Sequence, residues 1–428
     1  TLKNAFKIKE IRQKILFTLG MLVVIRIGSQ LPVPGVDTKF FSQWFAQQTG
    51  GAFSFFDAIT GGSFLNMSIL ALNINPYITS SIIMQLLTIA IPKLEEMQRD
   101  GEDGRKKMVA ITRYVTVALA LIQSTAMAIG FGRQGYLIEF NALNVITTIT
   151  ALTAGSAFLM WVGERITEKG IGNGISIVLV INIISRLPQD LSNLFEQFVF
   201  GKAPATAILA VVIIFAIIIA MVVLVIILND GVRKIPVQYA KKMQGRKMVG
   251  GQTSNIPLKV NTSGVIPIMQ FPIIICSFIG YNGTGVWAEI LKGLNSGYWC
   301  KPSQPIYSLG LLLYIVLIVF FAYFYTSITF NPLMIADNMK KQGGFIPGIR
   351  PGKPTSDYLN KILNYIVFIG AIGLIIVSVI PYFFNGVFGA SVSFGGTSLI
   401  IIVSVVLETM KQVESQMLVR NYKGFLED

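Results

Sequence analysis

Along this chain, long apolar runs alternate with short polar segments, and the runs have the length of membrane-crossing helices. A span needs about 20 apolar residues. The clearest run is Thr206–Leu228, 23 residues without a charge, preceded by Pro204 and closed by Asn229 and Asp230. At about 1.5 Å per residue it reaches about 34 Å, enough for a hydrocarbon core of about 30 Å. The same reading predicts spans near 15–33, 67–91, 108–130, 142–163, 171–188, 206–228, 262–280, 307–330, 359–382 and 396–418. The expected fold is an all-α polytopic membrane protein with ten transmembrane helices. Leu2, Ala5, Phe6 and Ile11 stand at helical spacing in residues 1–14, which suits a short helix on the membrane surface. Arg26 interrupts the first run and no small-residue cleavage site follows it, so the run reads as a retained helix.

Ten spans divide into halves of five, 1–203 and 204–428, and an odd number per half makes the halves run in opposite senses. The second span of each half is interrupted. Asn73, Asn75 and Pro76 lie within Ile69–Leu87, and Gly264, Pro267 and Pro272 lie within Val260–Ile279. Proline removes a helical hydrogen bond, and freed backbone groups at membrane depth must face protein or a water-filled cavity. Ordinary packing kinks account for either break alone; their matched placement favours a transport pathway. Before the second span, segment 51–66 is too short to cross a bilayer. It carries Phe53, Phe55, Phe56 and Ile59, and the glycine pairs Gly50-Gly51 and Gly61-Gly62 flank its apolar part. A short, movable re-entrant or outer-surface helix fits it better than a plain loop.

Composition agrees with the pattern. Only 13% of the residues are charged, against roughly 25% in soluble domains. The net charge of +14 lies in the loops. With the N-terminus inside, 27 Lys and Arg fall to inner segments and 6 to outer ones, which predicts cytoplasmic termini. With no histidine, Ser-His-Asp catalysis and the usual zinc sites are excluded. Cys276 and Cys300 form no CxxC pair. Gly170–Gly174 (GIGNG) has no preceding strand and no following Lys-Ser/Thr, so it reads as the start of the fifth span rather than a phosphate loop. The span interiors hold almost no acids, which argues against the main alternative, an ion-coupled transporter of a small solute. No catalytic residue, metal ligand or cofactor is expected. A passive pathway or a binding scaffold remains.

Several segments then point to one family: PVPGVD (32–37), NPYITSSIIMQLL (75–87), EDGRKKM (102–108), FLMWVGERITEKGIGNGISI (158–177), YAKKMQGRK (239–247), LKVNTSGVIP (258–267), TFNPLMIADNMKKQGGFIPGIRPGKPT (329–355) and FGGTSLIIIV (394–403). Through them the chain resembles SecY, the central channel subunit of the bacterial protein translocase. The resemblance implies an hourglass channel between two inverted halves, passing unfolded polypeptides across a bacterial cytoplasmic membrane and releasing hydrophobic segments sideways into lipid. It maps a constriction ring onto Ile74, Ile78, Leu179, Met269 and Ile401, and a plug onto 51–66 with Phe53, Phe55, Phe56, Ile59, Gly61 and Gly62. Leu179 and Met269 depart from the family's common isoleucine but stay apolar. A collar without hydrogen-bonding groups gates by dewetting. Thr79, Gln123 and Asn261 are candidate polar contacts at the sideways gate. Loops 229–261 and 331–358 are the implied docking face for a ribosome and a SecA ATPase motor, with Arg233, Lys234, Lys241, Lys242, Arg246, Lys247 and Arg350 as its cations. Further implied partners are SecE-like and SecG-like small membrane subunits, signal peptides, nascent chains and membrane lipid.

Overall fold

The computed structural model describes residues 8–38, 41, 57, 59–133, 135, 137–201, 204–239, 242–244, 247–249, 253–261, 293, 299–301, 305–388 and 396–424. The first helix, α1, runs Lys9–Gly28 without a break between its charged start and the first apolar run. Ile11 anchors that start by packing with Ile171 and Val413. Residues 1–7, the first half of the expected surface helix, lie outside the described residues.

The second span is broken, as Asn73, Asn75 and Pro76 predict. Residues 61–74 are turns and bridges, and helix α2 begins only at Asn75 and ends at Ala90. Pro76 sits in its first turn, where the missing N–H costs nothing. At Pro92 the chain bends by 109° into the short helix α3, Pro92–Arg99. Four long helices follow: α4 (Gly101–Arg133), α5 (Ala142–Lys169), α6 (Gly174–Phe198) and α7 (Pro204–Asp230). The GIGNG segment starts α6: the side chain of Asn173 caps it by accepting from the Ile175 N–H at 3.2 Å.

Between α7 and the next span the chain folds as β-structure. Strands β1 (Val232–Tyr239) and β4 (Thr253–Lys259) pair antiparallel, Ile235 opposite Ile256, and the short strands β2 (Lys242–Gln244) and β3 (Lys247–Val249) pair with each other. After α8 (Leu309–Thr329) and α9 (Pro332–Lys341), strand β5 (Gly344–Phe345) joins β1 through Gln238–Phe345 and Tyr239–Gly344. Helices α10 (Lys353–Phe388) and α11 (Gly396–Gly424) complete the described chain. The seventh expected span, 262–280, and its break at Gly264, Pro267 and Pro272 lie outside the described residues.

Among the described residues, seven helices are long and apolar enough to cross a membrane, or eight if the bent α2–α3 pair is one span. Helix α1 does not count because Lys9, Glu10, Arg12, Lys14 and Arg26 dilute its apolar run. Helix α7 is apolar around its whole circumference and leaves Leu209, Val212, Phe215 and Ile219 exposed, as a lipid-facing helix does. Two aliphatic cores lie within the helices. One joins α1, α2, α5 and α6 to Ile401 and Val405 of α11; the other joins α7, α8, α10 and α11.

Candidate functional site: a collar under a polar clasp

The residues expected at the constriction are spread over 328 positions of sequence, from Ile74 to Ile401. Ile74 caps α2, and the Ile78 N–H bonds to the Ile74 carbonyl at 3.1 Å, so the two side chains stand one turn apart. Leu179 lies in the second turn of α6 and Ile401 in the second turn of α11. Ile74, Leu179 and Ile401 are buried in one cluster, with Ile78 packed against it, so three elements converge on one aliphatic contact. Met269 lies outside the described residues.

Over this contact lies the end of segment 51–66. Phe53, Phe55 and Phe56 are outside the described residues, whereas Asp57, Ile59 and Thr60 are helical and Gly61 and Gly62 turn with φ of 65° and 82°. Ile59 belongs to the same aliphatic cluster as Ile74. A buried polar layer joins the segment to the helices. Asn73, at φ 54°, donates from Nδ2 to the Ile59 carbonyl at 3.0 Å. Its Oδ1 accepts from Asn182 Nδ2 of α6 at 3.0 Å, and its carbonyl accepts from Ser156 Oγ of α5 at 3.1 Å. The break in the second span is therefore where Asn73, through its side chain and its carbonyl, meets both the segment and two neighbouring helices. Gly155 allows this approach, since a Cβ there would collide with the Ile69 carbonyl.

Charges frame the same end. Arg26, which interrupts the first apolar run, directs both terminal nitrogens at the Gly61 carbonyl, at 3.3 and 3.4 Å. Asp57 is fully buried, accepts the Leu65 N–H at 3.0 Å and meets Arg186 of α6 at 2.9 Å. Burial pushes its carboxyl above the usual carboxylate range, the Arg186 guanidinium pulls it back down, and Asp190 adds a smaller upward push. Ile59 and Gly61 were expected plug residues and Asn73 part of the expected break, but Arg26, Asp57, Asn182 and Arg186 were not among the sequence-derived site residues. On α6 the signal was present: Leu179, Asn182, Arg186 and Asp190 recur at three- and four-residue intervals, putting polar groups on one face of an otherwise apolar helix.

The expected sideways-gate residues do not come together. Thr79 on α2 and Gln123 on α4 are half-buried, and the bond joining these two helices runs instead from Ser80 Oγ to the Thr112 carbonyl at 2.9 Å. Asn261 donates to Asn229 Oδ1 at 3.0 Å, and Asn229 donates to Ser404 Oγ at 2.9 Å. Asn261 thus faces α7 and α11. Its amide nitrogen is committed to that ladder, which spacing along the sequence could not reveal.

The two basic loops form one folded unit. Ile235, Val237, Leu258, Met339, Ile346 and Leu359 share a core, and β1 pairs with strands from both loops. Arg233, Lys234 and Arg350 project from it into solvent. Lys242 and Lys247 lie on β2 and β3, while Lys241 and Arg246 fall outside the described residues.

The sequence and this architecture were compared with known proteins. A family model described as SecY matches residues 68–410. The protein translocase subunit SecY of Streptomyces galbus is 43% identical, with 99% of this chain and 98% of that protein covered. That of Bacillus subtilis is 41% identical, with 100% and 99% covered. Among solved structures, a protein-conducting channel superposes with a TM-score of 0.64 at 18% identity, covering 97% of each chain. Sec61 in the canine ribosome-channel complex from the endoplasmic reticulum gives 0.62 at 17% identity, again covering 97% of each. At these identities the structural matches speak to the fold.

Proposed function

The chain belongs to the SecY family, and from that premise we propose how its parts divide the work of a protein-conducting channel. It is a multi-pass protein of a bacterial membrane, a translocation channel and not an enzyme. Family membership sets aside the small-solute transporter.

The collar is Ile74, Ile78, Leu179 and Ile401, with Met269 as its fifth member. The observation that carries this reading is the convergence of α2, α6 and α11 on one aliphatic contact beneath Ile59. Such a contact offers nothing to replace the hydration of an ion, so it stays dry and closed to ions when no polypeptide fills it. It also makes no side-chain-specific demand on what slides through. Segment 51–66 is the plug, and the described part of its end rests on the collar through Ile59. Residues 1–203 and 204–428 act as the two halves, with both termini in the cytoplasm. Thr79 and Gln123 line the first-half side of the sideways gate, where a hydrophobic segment gains up to about 0.6 kcal/mol per central Leu or Ile on passing into lipid. The unit carrying Arg233, Lys234 and Arg350 docks the ribosome, through phosphate contacts, and the SecA-type motor. SecE-like and SecG-like subunits complete the working channel.

Conductance tests the collar. Ile78→Asn or Ile401→Asn places an amide in the dry contact and should raise the resting ion conductance of reconstituted bilayers several-fold. Unchanged conductance in both variants removes these residues from the seal.

A further inference from the structure

Segment 51–66 contains a single ionisable side chain, Asp57, and the fold buries it completely. An unpaired carboxylate away from water is strongly unfavourable. Among the described residues one cation meets it: Arg186 Nη1 stands 2.9 Å from Asp57 Oδ2, its own side chain 21% exposed. Arg186 is seven residues beyond Leu179 on α6, two turns along the same face and about 10 Å from the collar position. Between them Asn182 holds Asn73, which in turn holds the Ile59 carbonyl. One face of α6 therefore presents in sequence a collar residue, an amide on the broken span, and a cation on the plug.

We propose that Arg186 is the positioning residue of the plug: by pairing with Asp57 it makes the seat over the collar the one buried location this segment can occupy. The proposal rests on segment 51–66 being the plug. Its physical content is a choice between two states. In the seat, Asp57 is dry and neutralised. In any other packed location the carboxylate would be buried without a partner, so the segment, once displaced, goes to water, where Asp57 and Arg186 are both hydrated. A buried pair of this kind contributes little net stability but fixes a location and a register. The plug then has a closed seat and an open, hydrated state, with no sticky intermediate lodged in the funnel. Arg26, aimed at the Gly61 carbonyl from α1, holds the adjacent turn and leaves the carboxylate to Arg186.

The test uses the full chain purified with its accompanying membrane subunits and reconstituted in planar bilayers in KCl. Arg186→Gln strands Asp57 and should raise resting conductance several-fold; it should also relax signal stringency, so that a reporter with a defective signal sequence is exported. Adding Asp57→Asn to Arg186→Gln removes the stranded charge and should return both readouts most of the way to the parent, and Arg186→Lys should keep them near the parent. A residue that merely packs would not be rescued by removing a charge elsewhere. An Arg186→Gln channel as tight and stringent as the parent, or a double variant as leaky as the single, overturns the proposal. Gly61→Val, which forces the segment off α6 while leaving both members of the pair in the chain, separates the two failures. If it leaks while Arg186→Gln does not, the plug stands and the role of Arg186 falls. If it does not leak either, the plug reading itself fails.

Discussion

Gly61 lies so close to Asn182 that a Cβ on it would stand 2.6 Å from the Asn182 carbonyl oxygen and 2.8 Å from its Cα. Its φ of 65° already disfavours a side chain, and the obstacle is helix backbone, which cannot move aside. A valine at this position should therefore displace the plug while leaving the transmembrane helices assembled. The expected outcome is a higher resting conductance together with increased labelling of a cysteine placed at Ile59 by a membrane-impermeant thiol reagent added from outside. A closed channel with an unlabelled cysteine would show that the segment tolerates the displacement or does not seal.

The docking unit yields a prediction with two arms. The Arg350 side chain is exposed, and the local hydrogen bond, from Thr355 Oγ1 at 2.8 Å, goes to its backbone carbonyl. Arg350→Glu should therefore weaken ribosome- or motor-dependent export without disturbing the fold. If a phosphate contact is lost, the salt dependence of ribosome binding should become shallower by roughly one unit of slope. Ile235→Ala, in the shared core, should instead cost about 2–5 kcal/mol of local stability and expose both loops to protease together. Normal export by Arg350→Glu would remove it from the docking face.

Much of the helical plan was readable because lipid leaves a simple trace. Thr206–Leu228 has no charge to misplace, and the α7 found there starts at Pro204. Ile74 and Ile78 were readable as a pair because four residues is about one turn. Other features were hidden for identifiable reasons. Arg233 and Lys234 precede Ile235 and Val237, so the alternation of a strand began in what looked like a charged loop. Asn261 reads as a gate contact in the sequence because its partner, Asn229, lies 32 residues away and bonds in turn to Ser404. Arg186 is one of the 6 outer cations in the charge balance, yet its partner is Asp57, 129 residues earlier. Charge counting records how many cations lie on each side of a membrane, and pairing across long sequence separations is invisible to it.

The raised carboxyl of Asp57 predicts a pH dependence with a definite sign. Free, the group titrates near its ordinary value of about 4; in the closed seat, burial lifts it despite Arg186. The closed state therefore binds more protons than the displaced one, so closure is favoured as pH falls towards the free value and loses that contribution as pH rises through the closed-state value. The groups that face Asp57 are Arg186 and Asp190. Resting conductance should fall on acidification, the effect should extend to higher pH in Arg186→Gln, where the opposing cation is gone, and it should vanish in Asp57→Asn. A pH profile unchanged by Asp57→Asn would place the titrating group elsewhere.

The central claim is that a translocating polypeptide passes through the contact formed by Ile74, Ile78, Leu179 and Ile401. The most direct measurement stalls a secretory chain in the channel and maps crosslinks from photoreactive residues placed at those four positions, with Leu209 and Phe215 on the exposed face of α7 as references. The account predicts crosslinks from all four positions to the same short stretch of the stalled chain, and none from the two references. Crosslinks from α7 with none from the four would contradict it.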